Sequence, residues 1–202
     1  MPRLPGTEEL VQRILKDAYL ELVVDRYTLA EAVSDGGRAE VVVTLHHEHE
    51  PDRTLVLEGS GVGAIDALFS AMQAHYAREY QSLESIRFTG FNVTGRMDTG
   101  KDHRGADAVA VVGLEVANSE GKSFEFESSG RSLVATALAV VVRATEYFVN
   151  SERAFITVYK ALRDAKERGR SDLINDYTAQ LADLVNTTSY SQVIERIKAE
   201  ML

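Results

Sequence analysis

The spacing of apolar residues predicts alternating helices and strands along the first 80 residues. Helical spacing extends over residues 7–24, and strand-like alternation follows over residues 26–34. Short runs rich in β-branched or apolar residues occupy 40–45 and 54–57, and helical spacing returns over residues 63–80. This region is therefore predicted to form a helix, three strands and a second helix.

The same order of elements then occurs again. Residues 85–97, 106–117 and 122–127 have the composition and alternation of strands, and residues 131–150 have the pattern of an apolar helix. A repeated supersecondary unit points to a duplicated fold. We predict an α+β protein of two pseudo-symmetric βββα units, each an antiparallel meander covered by one helix.

The remaining residues are helical in pattern. Gly169 is expected to end one helix, Ser171 to cap the next, and Ser189 with Gln192 has the capping-box spacing of a last one. The predicted organisation has three parts: an N-terminal helix in residues 1–25, the duplicated region in residues 26–150, and a helical C-terminal extension in residues 151–202.

Each helix of the duplicated region follows a run of small residues. These runs are Gly59-Ser60-Gly61-Val62-Gly63 and Ser128-Ser129-Gly130-Arg131-Ser132. We predict a glycine turn that opens each helix, where free backbone N–H groups and the helix dipole favour a carboxylate or phosphate. A tight turn that only allows close helix–sheet packing is the alternative. The partial match to a dinucleotide fingerprint is disfavoured, because the strands look antiparallel and no acidic residue ends the next strand.

Composition and charge narrow the classes of partner. The formal net charge is −9, which disfavours sequence-independent binding to nucleic acid or to an anionic membrane. The chain has no cysteine, so disulfides, thiolate catalysis and cysteine-ligated metals are excluded. The pattern indicates neither a signal peptide nor an apolar stretch long enough to span a membrane. We expect a cytoplasmic protein.

Three motifs in this order resemble the C-terminal regulatory domain of the α-isopropylmalate synthase and citramalate synthase family. Gly59-Ser60-Gly61-Val62-Gly63-Ala64-Ile65-Asp66-Ala67-Leu68 is similar to the family's glycine-rich stretch and helix start. Gly105-Ala106-Asp107-Ala108-Val109-Ala110-Val111-Val112 is similar to its Gly-x-Asp-Ala-x-Ala-x-Val strand. Ser129-Gly130-Arg131-Ser132 is similar to its second helix entry. The resemblance covers about residues 26–150.

This resemblance implies a regulatory and dimerisation module rather than an enzyme. In that family the domain forms dimers, binds leucine or isoleucine and inhibits a separate catalytic barrel. The barrel needs about 250 residues, and only about 25 residues precede the first predicted strand. The chain is thus expected to be a detached, non-catalytic homodimer without a cofactor, with a separate synthase subunit as a further partner.

The implied ligand is a branched-chain amino acid or another small carboxylate. Its carboxylate would lie at one of the two glycine motifs and its side chain against the apolar face of the first repeat helix. The predicted ligand-binding residues are Gly61, Gly63, Ile65, Asp66, Leu68, Phe69, Gly130, Arg131 and Ser132. One departure from the family favours an alternative: residues 133–137 lack the family's acidic residue, as in a structural or interaction module that has lost its effector.

Individual polar residues leave further alternatives open. Asp66 is expected to favour the helix dipole or, alternatively, to pair with a ligand ammonium group. Arg131 is expected to contact an anion or an acidic neighbour, or to be exposed. His47 and His49 sit in the polar segment 46–53, where they could chelate a metal, but a solvated hairpin loop is the preferred interpretation.

Overall fold

The computed structural model describes residues 5–97, residues 108–185 and Val193. Two short 3₁₀ turns follow the first helix and the first strand. The helices and strands are α1 (Pro5–Leu15), β1 (Leu22–Ala32), β2 (Arg38–His47), β3 (Glu50–Val62), α2 (Gly63–Tyr76), α3 (Ser82–Ser85), β4 (Arg87–Met97), β5 (Ala108–Ala117), β6 (Ser123–Gly130), α4 (Leu133–Glu167) and α5 (Ser171–Leu184).

The predicted fold class is confirmed. The chain forms two antiparallel three-stranded sheets, in the orders β1-β2-β3 and β4-β5-β6, and a helix follows each sheet. The two sheets share one register: Ala39 pairs with Gly61 in the first, and Ala110 pairs with Gly130 in the second. Further equivalent pairs are Val41–Gly59 with Val112–Ser128, and Val43–Leu57 with Leu114–Phe126.

The first strands of the two sheets, β1 and β4, each have a register shift at the equivalent position. The ladder between β1 and β2 shifts between Val24 and Arg26, and the ladder between β4 and β5 shifts between Phe88 and Gly90. Each shift leaves one extra residue in the first strand, as in a β-bulge. The equivalence therefore assigns Val24 to Phe88 and makes the two units comparable residue by residue.

A single core joins the two units. Alternate residues of β2 are buried, as expected for a strand with one covered face. Helix α2 packs on β2 and β3, α4 packs on β5 and β6, and the two helices also contact each other. Strand β1 contacts α4, and Phe69 of α2 packs on Phe88 of β4. Each helix therefore reaches the first strand of the other unit.

A second, smaller apolar cluster lies along the C-terminal half of α4. Helix α1, this half of α4 and α5 pack together around Phe155, Val158 and Leu184. Helix α4 runs without interruption through residue 150, where the sequence predicted the end of a helix and the start of the extension. The predicted helix end at Gly169 is confirmed, because Gly169 has a φ of 65° just after α4 ends. The predicted cap at Ser171 is wrong, because Ser171 is the first residue of α5 and Arg170 is its N-cap.

Helix α4 is also the element that bears on membrane insertion. Among the described residues it is the one helix long and apolar enough to cross a membrane, but 61% of its most apolar window is buried inside the fold. Burial of this extent is what the core helix of a soluble protein requires. The structure is thus compatible with a soluble protein.

Several predicted boundaries are wrong. Helix α1 ends at Leu15 instead of continuing to residue 24, and the chain turns at Lys16, whose φ is 50°. Leu22, which fits helical spacing, is buried in the main core within β1, and Leu20 is buried just before that strand. Strand β3 is much longer than predicted, so the loop predicted over residues 46–53 shrinks to a short turn between β2 and β3.

Parts of two other predictions lie outside the described residues. These are the start of the Gly105-to-Val112 motif and the capping box of Ser189 and Gln192.

Candidate functional site

Most glycines of the two motifs lie in strands instead of turns. Gly59 and Gly61 lie within β3, which continues to Val62, and Gly130 is the last residue of β6. In the first motif the change of direction is confined to Gly63, which has a left-handed φ of 76° and is the first residue of α2. In the second motif Arg131 and Ser132 connect β6 to α4.

Close packing explains the glycines in β3. A Cβ atom on Gly59 would overlap the carbonyl oxygen of Ala67 and lie 2.8 Å from the Cβ of Ala71. A Cβ atom on Gly61 would lie 2.7 Å from the backbone nitrogen of Ala67. Both residues therefore let α2 lie directly on its own sheet, as the alternative interpretation of the motif stated.

The N-terminus of α2 is satisfied by groups of the chain itself. The Val62 N–H donates to Oδ2 of Asp66 at 2.8 Å, and the Gly63 N–H donates to the carbonyl of Gly37 at 2.8 Å. Asp66 also places a negative charge in the first turn, where it favours the helix dipole. A ligand carboxylate would meet this charge, so the end of α2 disfavours the predicted contact.

The predicted apolar contacts on α2 are also taken up by the protein. Leu68 is fully buried in the core and cannot reach a ligand. Phe69 packs against Phe88 with ring centroids 4.6 Å apart, and Ile65 packs partly buried against the core. This face of α2 serves the packing between the two units.

The N-terminus of α4 differs from that of α2 in its charge. Oγ of Ser132 accepts the N–H of Ala135 at 3.3 Å, and the Thr136 hydroxyl donates to the Ser132 carbonyl at 2.7 Å. No acidic residue lies in the first turn, and Arg131 is exposed immediately before it. The positive end of this helix dipole is therefore not balanced by a carboxylate from its own first turn.

An apolar groove begins next to this helix end. It has a volume of about 600 Å³ and lies between β1 and the N-terminal half of α4. One wall consists of Ala135, Ala139 and Val142, with Arg143 at its end, and the other consists of residues 22–27. Six consecutive strand residues can line one groove only if it follows the strand's edge, and β1 is an edge strand. We call this feature the β1 groove.

Two polar side chains of α4 close the groove at its far end. The Asn150 side chain accepts the Leu20 N–H at 2.7 Å and donates to the Leu20 carbonyl at 2.8 Å. Glu146, one turn earlier, accepts the Leu22 N–H at 2.6 Å. Burial raises the pKa of the Glu146 carboxyl to about 7, although the hydrogen bond from Leu22 opposes this. These side chains occupy the place of a neighbouring strand.

The charged residues around the β1 groove differ in their hydrogen-bond partners. Arg26 is exposed, and Arg143 is exposed while it donates to the carbonyl of Glu127 at 2.5 Å. Asp25 is bonded through both carboxylate oxygens to Nδ1 of His46 at 2.9 Å. The lining of the groove therefore holds two arginines and one carboxylate, and a second carboxylate, that of Glu146, lies near Arg143 on α4.

The equivalent place in the other unit is filled. The register assigns Val24 to Phe88 and, from the equivalence of Gly61 and Gly130, Leu138 to Phe69. The aromatic pair of Phe69 and Phe88 occupies the contact where the first unit has Val24 and Leu138. Smaller side chains thus accompany the open groove.

The histidines at the β2–β3 hairpin do not form a metal centre with other ligands. Within residues 5–97 and 108–185, no three His, Cys, Asp or Glu side chains are grouped to hold a metal ion. His46 pairs with Asp25, and burial lowers the pKa of His47. These residues carry structural contacts instead.

The sequence missed the residues that shape the β1 groove. Glu146 and Asn150 had a detectable signal, since they are polar positions on the buried face of a strongly apolar helix. Val24 and Ala139 had none, because an apolar residue gives no indication of what lies beside it.

Comparison of the sequence with protein-family models and with curated proteins finds no match. The resemblance to the α-isopropylmalate synthase regulatory domain therefore stays a prediction from the motifs.

Proposed function

We propose that this protein is a non-catalytic regulatory module that binds a small carboxylate effector, of which a branched-chain amino acid is the preferred class. The observation that carries the proposal is the β1 groove, an apolar space beside a helix N-terminus without an acidic residue in its first turn. Its volume of about 600 Å³ is within the range of small-molecule sites.

The chemistry of the groove suits an apolar amino acid. A branched side chain would contact Val24, Ala139 and Val142, which form apolar parts of both walls. The carboxylate would lie towards the first turn of α4, which holds no acidic residue, and towards Arg26, which lines the groove. Of the two expected sites this keeps the one at the start of α4, although Gly130, Arg131 and Ser132 precede that turn and do not line the groove.

The family resemblance extends the proposal to assembly. The module would act in the cytoplasm as a homodimer and as the detached regulatory subunit of an acyl-transferring synthase. Sedimentation and co-purification with a candidate synthase test these two statements separately.

A second candidate is the structural or interaction module that has lost effector binding. The hydrogen bond from Val62 to Asp66 favours it, because one of the two predicted carboxylate sites is already filled by the chain.

Thermal unfolding with added leucine, isoleucine, valine and their 2-oxo acids distinguishes the two candidates. A ligand at about 100 times its dissociation constant adds about 2.7 kcal/mol to the free energy of unfolding. Ala139→Phe fills the groove and should abolish this shift, whereas Ala74→Phe adds the same volume at an exposed position of α2 and should keep it. No shift with any of these compounds would favour the interaction module.

A further inference from the structure

The chain that leads into β1 is bonded along one side of α4. We call residues 16–21, which connect α1 to β1, the strap. The carbonyl of Leu20 accepts a hydrogen bond from the side-chain amide of Asn150 at 2.8 Å. One turn later in α4, the Arg153 guanidinium donates to the carbonyl of Ala18. Two carbonyls of the strap are therefore held by consecutive turns of one helix.

The chain that connects the two units is bonded to the same turn of α4. We call residues 77–86, which connect α2 to β4, the linker. The Glu152 carboxyl group is fully buried and accepts the Ser82 N–H at 2.8 Å. Nε and one terminal nitrogen of Arg153 donate to the Tyr80 hydroxyl at 2.9 and 2.7 Å, and the guanidinium lies 5.2 Å from the centre of the Tyr80 ring. Arg153 is thus bonded to both segments.

The geometry of Arg153 makes these bonds depend on one another. All three guanidinium nitrogens are used, Nη1 by the strap and the other two by the linker. A guanidinium group is planar and rigid, so its donors cannot move separately. The donor is charged and Tyr80 is only 3% exposed, which makes these bonds stronger than exposed neutral ones. A displacement of the strap that carries Arg153 with it therefore breaks the contact with the linker.

We propose that Arg153 couples the strap to the linker, so that the two segments open as one cooperative unit. Local opening in contiguous units is common in native proteins. The strap continues into β1, which forms a wall of the β1 groove, and the linker continues into β4 of the other sheet. Arg153 would therefore carry a structural change in either unit to the other one. This inference goes beyond the proposed function, because the opening requires no effector.

Hydrogen exchange of the ligand-free chain, followed by NMR under conditions where it reports the opening equilibrium, tests this coupling. The reporters are the N–H groups of Leu20 and Ser82, because each donates to a residue of α4 other than Arg153. Gln73→Ala removes a side chain that donates to the Leu83 carbonyl at 3.0 Å, and so weakens a contact of the linker that does not involve Arg153. We expect about fivefold faster exchange at both reporters. When Arg153→Met is also present, the addition of Gln73→Ala should accelerate exchange at Ser82 alone.

Two further variants complete the experiment. Gln180→Ala removes an exposed contact of α5 and should leave both reporters unchanged. Tyr80→Phe keeps the ring but removes the hydroxyl that Arg153 binds, and it replaces Arg153→Met if circular dichroism shows that the latter does not fold. With Arg153 present, no acceleration by Gln73→Ala, or acceleration at Ser82 alone, overturns the proposal. Acceleration at both reporters without Arg153 also overturns it, because the main core would then connect the two segments.

Discussion

The two βββα units share their topology, their register and their bulge position, yet they differ at the contact that each makes with the other unit. Where β4 meets α2, Phe88 and Phe69 fill the space. Where β1 meets α4, the equivalent residues are Val24 and Leu138, and a groove of about 600 Å³ lies along the strand edge. Duplication thus provides two equivalent places, and side-chain volume decides which one stays open.

The helices of the two units differ in a second way. Helix α2 has 14 residues, and α4 has 35. The additional turns of α4 bring Glu146 and Asn150 beside the start of β1, where they bind its backbone. The equivalent positions after α2 hold Ala77, which has no polar side chain, and Gln81, whose backbone N–H donates to Glu152 of α4. In the described residues the contacts of Glu146 and Asn150 with β1 are thus not repeated by Ala77 in the other unit.

The largest expected effect on the free energy of unfolding comes from a side chain added to the last strand of a sheet, where the following helix packs on it. Gly59→Ala places a Cβ atom against the carbonyl of Ala67 and should lower the free energy of unfolding by about 4 kcal/mol. The equivalent residue of the other unit already has a side chain, so Ser128→Ala should change it by less than about 1 kcal/mol. Urea unfolding measures both variants. Similar losses would show that the two helix–sheet contacts are equally tight.

If Phe69 and Phe88 are replaced by the residues found at the equivalent positions of the other contact, a similar groove should open between α2 and β4. The double variant Phe69→Leu and Phe88→Val gives that contact the residues of its counterpart. We expect a loss of about 3 kcal/mol in the free energy of unfolding, because the aromatic pair leaves a cavity. Thermal unfolding and crystallography of the variant provide the measurement. A structure in which α2 moves to close the space would argue against side-chain volume as the deciding factor.

Removal of one polar anchor tests the asymmetry of α4. Asn150→Ala leaves the buried N–H and C=O groups of Leu20 without their partner and should cost about 2 kcal/mol. Gln180→Ala removes an amide of α5 that bonds to Asp176 on an exposed surface and should cost less than about 0.5 kcal/mol. Urea unfolding compares the two, and hydrogen exchange at Leu20 and Leu22 should increase in Asn150→Ala alone.

The pH dependence that Glu146 contributes is comparable in size. Burial raises the pKa of this carboxyl from 4.5 to about 7, with further raising by Glu21 and Glu8 and lowering by Arg143. The folded state then holds the proton more tightly than the unfolded state, so this contribution to stability is lost as the pH rises from about 4.5 to about 7.

Glu146→Gln isolates that contribution. The amide accepts the Leu22 N–H without a charge, so the variant should lack roughly 2–3 kcal/mol of the loss in stability that the natural protein shows between about pH 5 and pH 8. Parallel curves of unfolding free energy against pH for the two proteins would contradict the prediction.

Much of the fold was predictable because its signals are local. The alternation over residues 26–34 and the β-branched run over residues 40–45 identified strands of the first meander, and the repeated order of elements identified the duplication. The end of α1 was not predictable in this way. Leu22 fits a helix as well as a strand, and only its burial in the main core decides between the two.

The glycine motifs show why the site was only half predicted. Gly61 and Gly130 were correctly placed beside the two helix starts, but a glycine that permits a turn and one that permits close packing look the same in a sequence. Their role follows from the distance to Ala67 or to Thr136, which is a property of the assembled layers. The same applies to Leu68, whose full burial removes it from the predicted site.

The sequence alone determined the class of fold, the duplication and the absence of cysteine chemistry, because these depend on composition and on periodicity within one element. The tertiary structure alone decided where the protein is open. The β1 groove exists because α4 passes an edge strand with Ala135 and Ala139 facing it, while the equivalent contact is closed by Phe69 and Phe88. Cavities are shaped by side chains from distant parts of the chain, and no local pattern specifies which of them will meet.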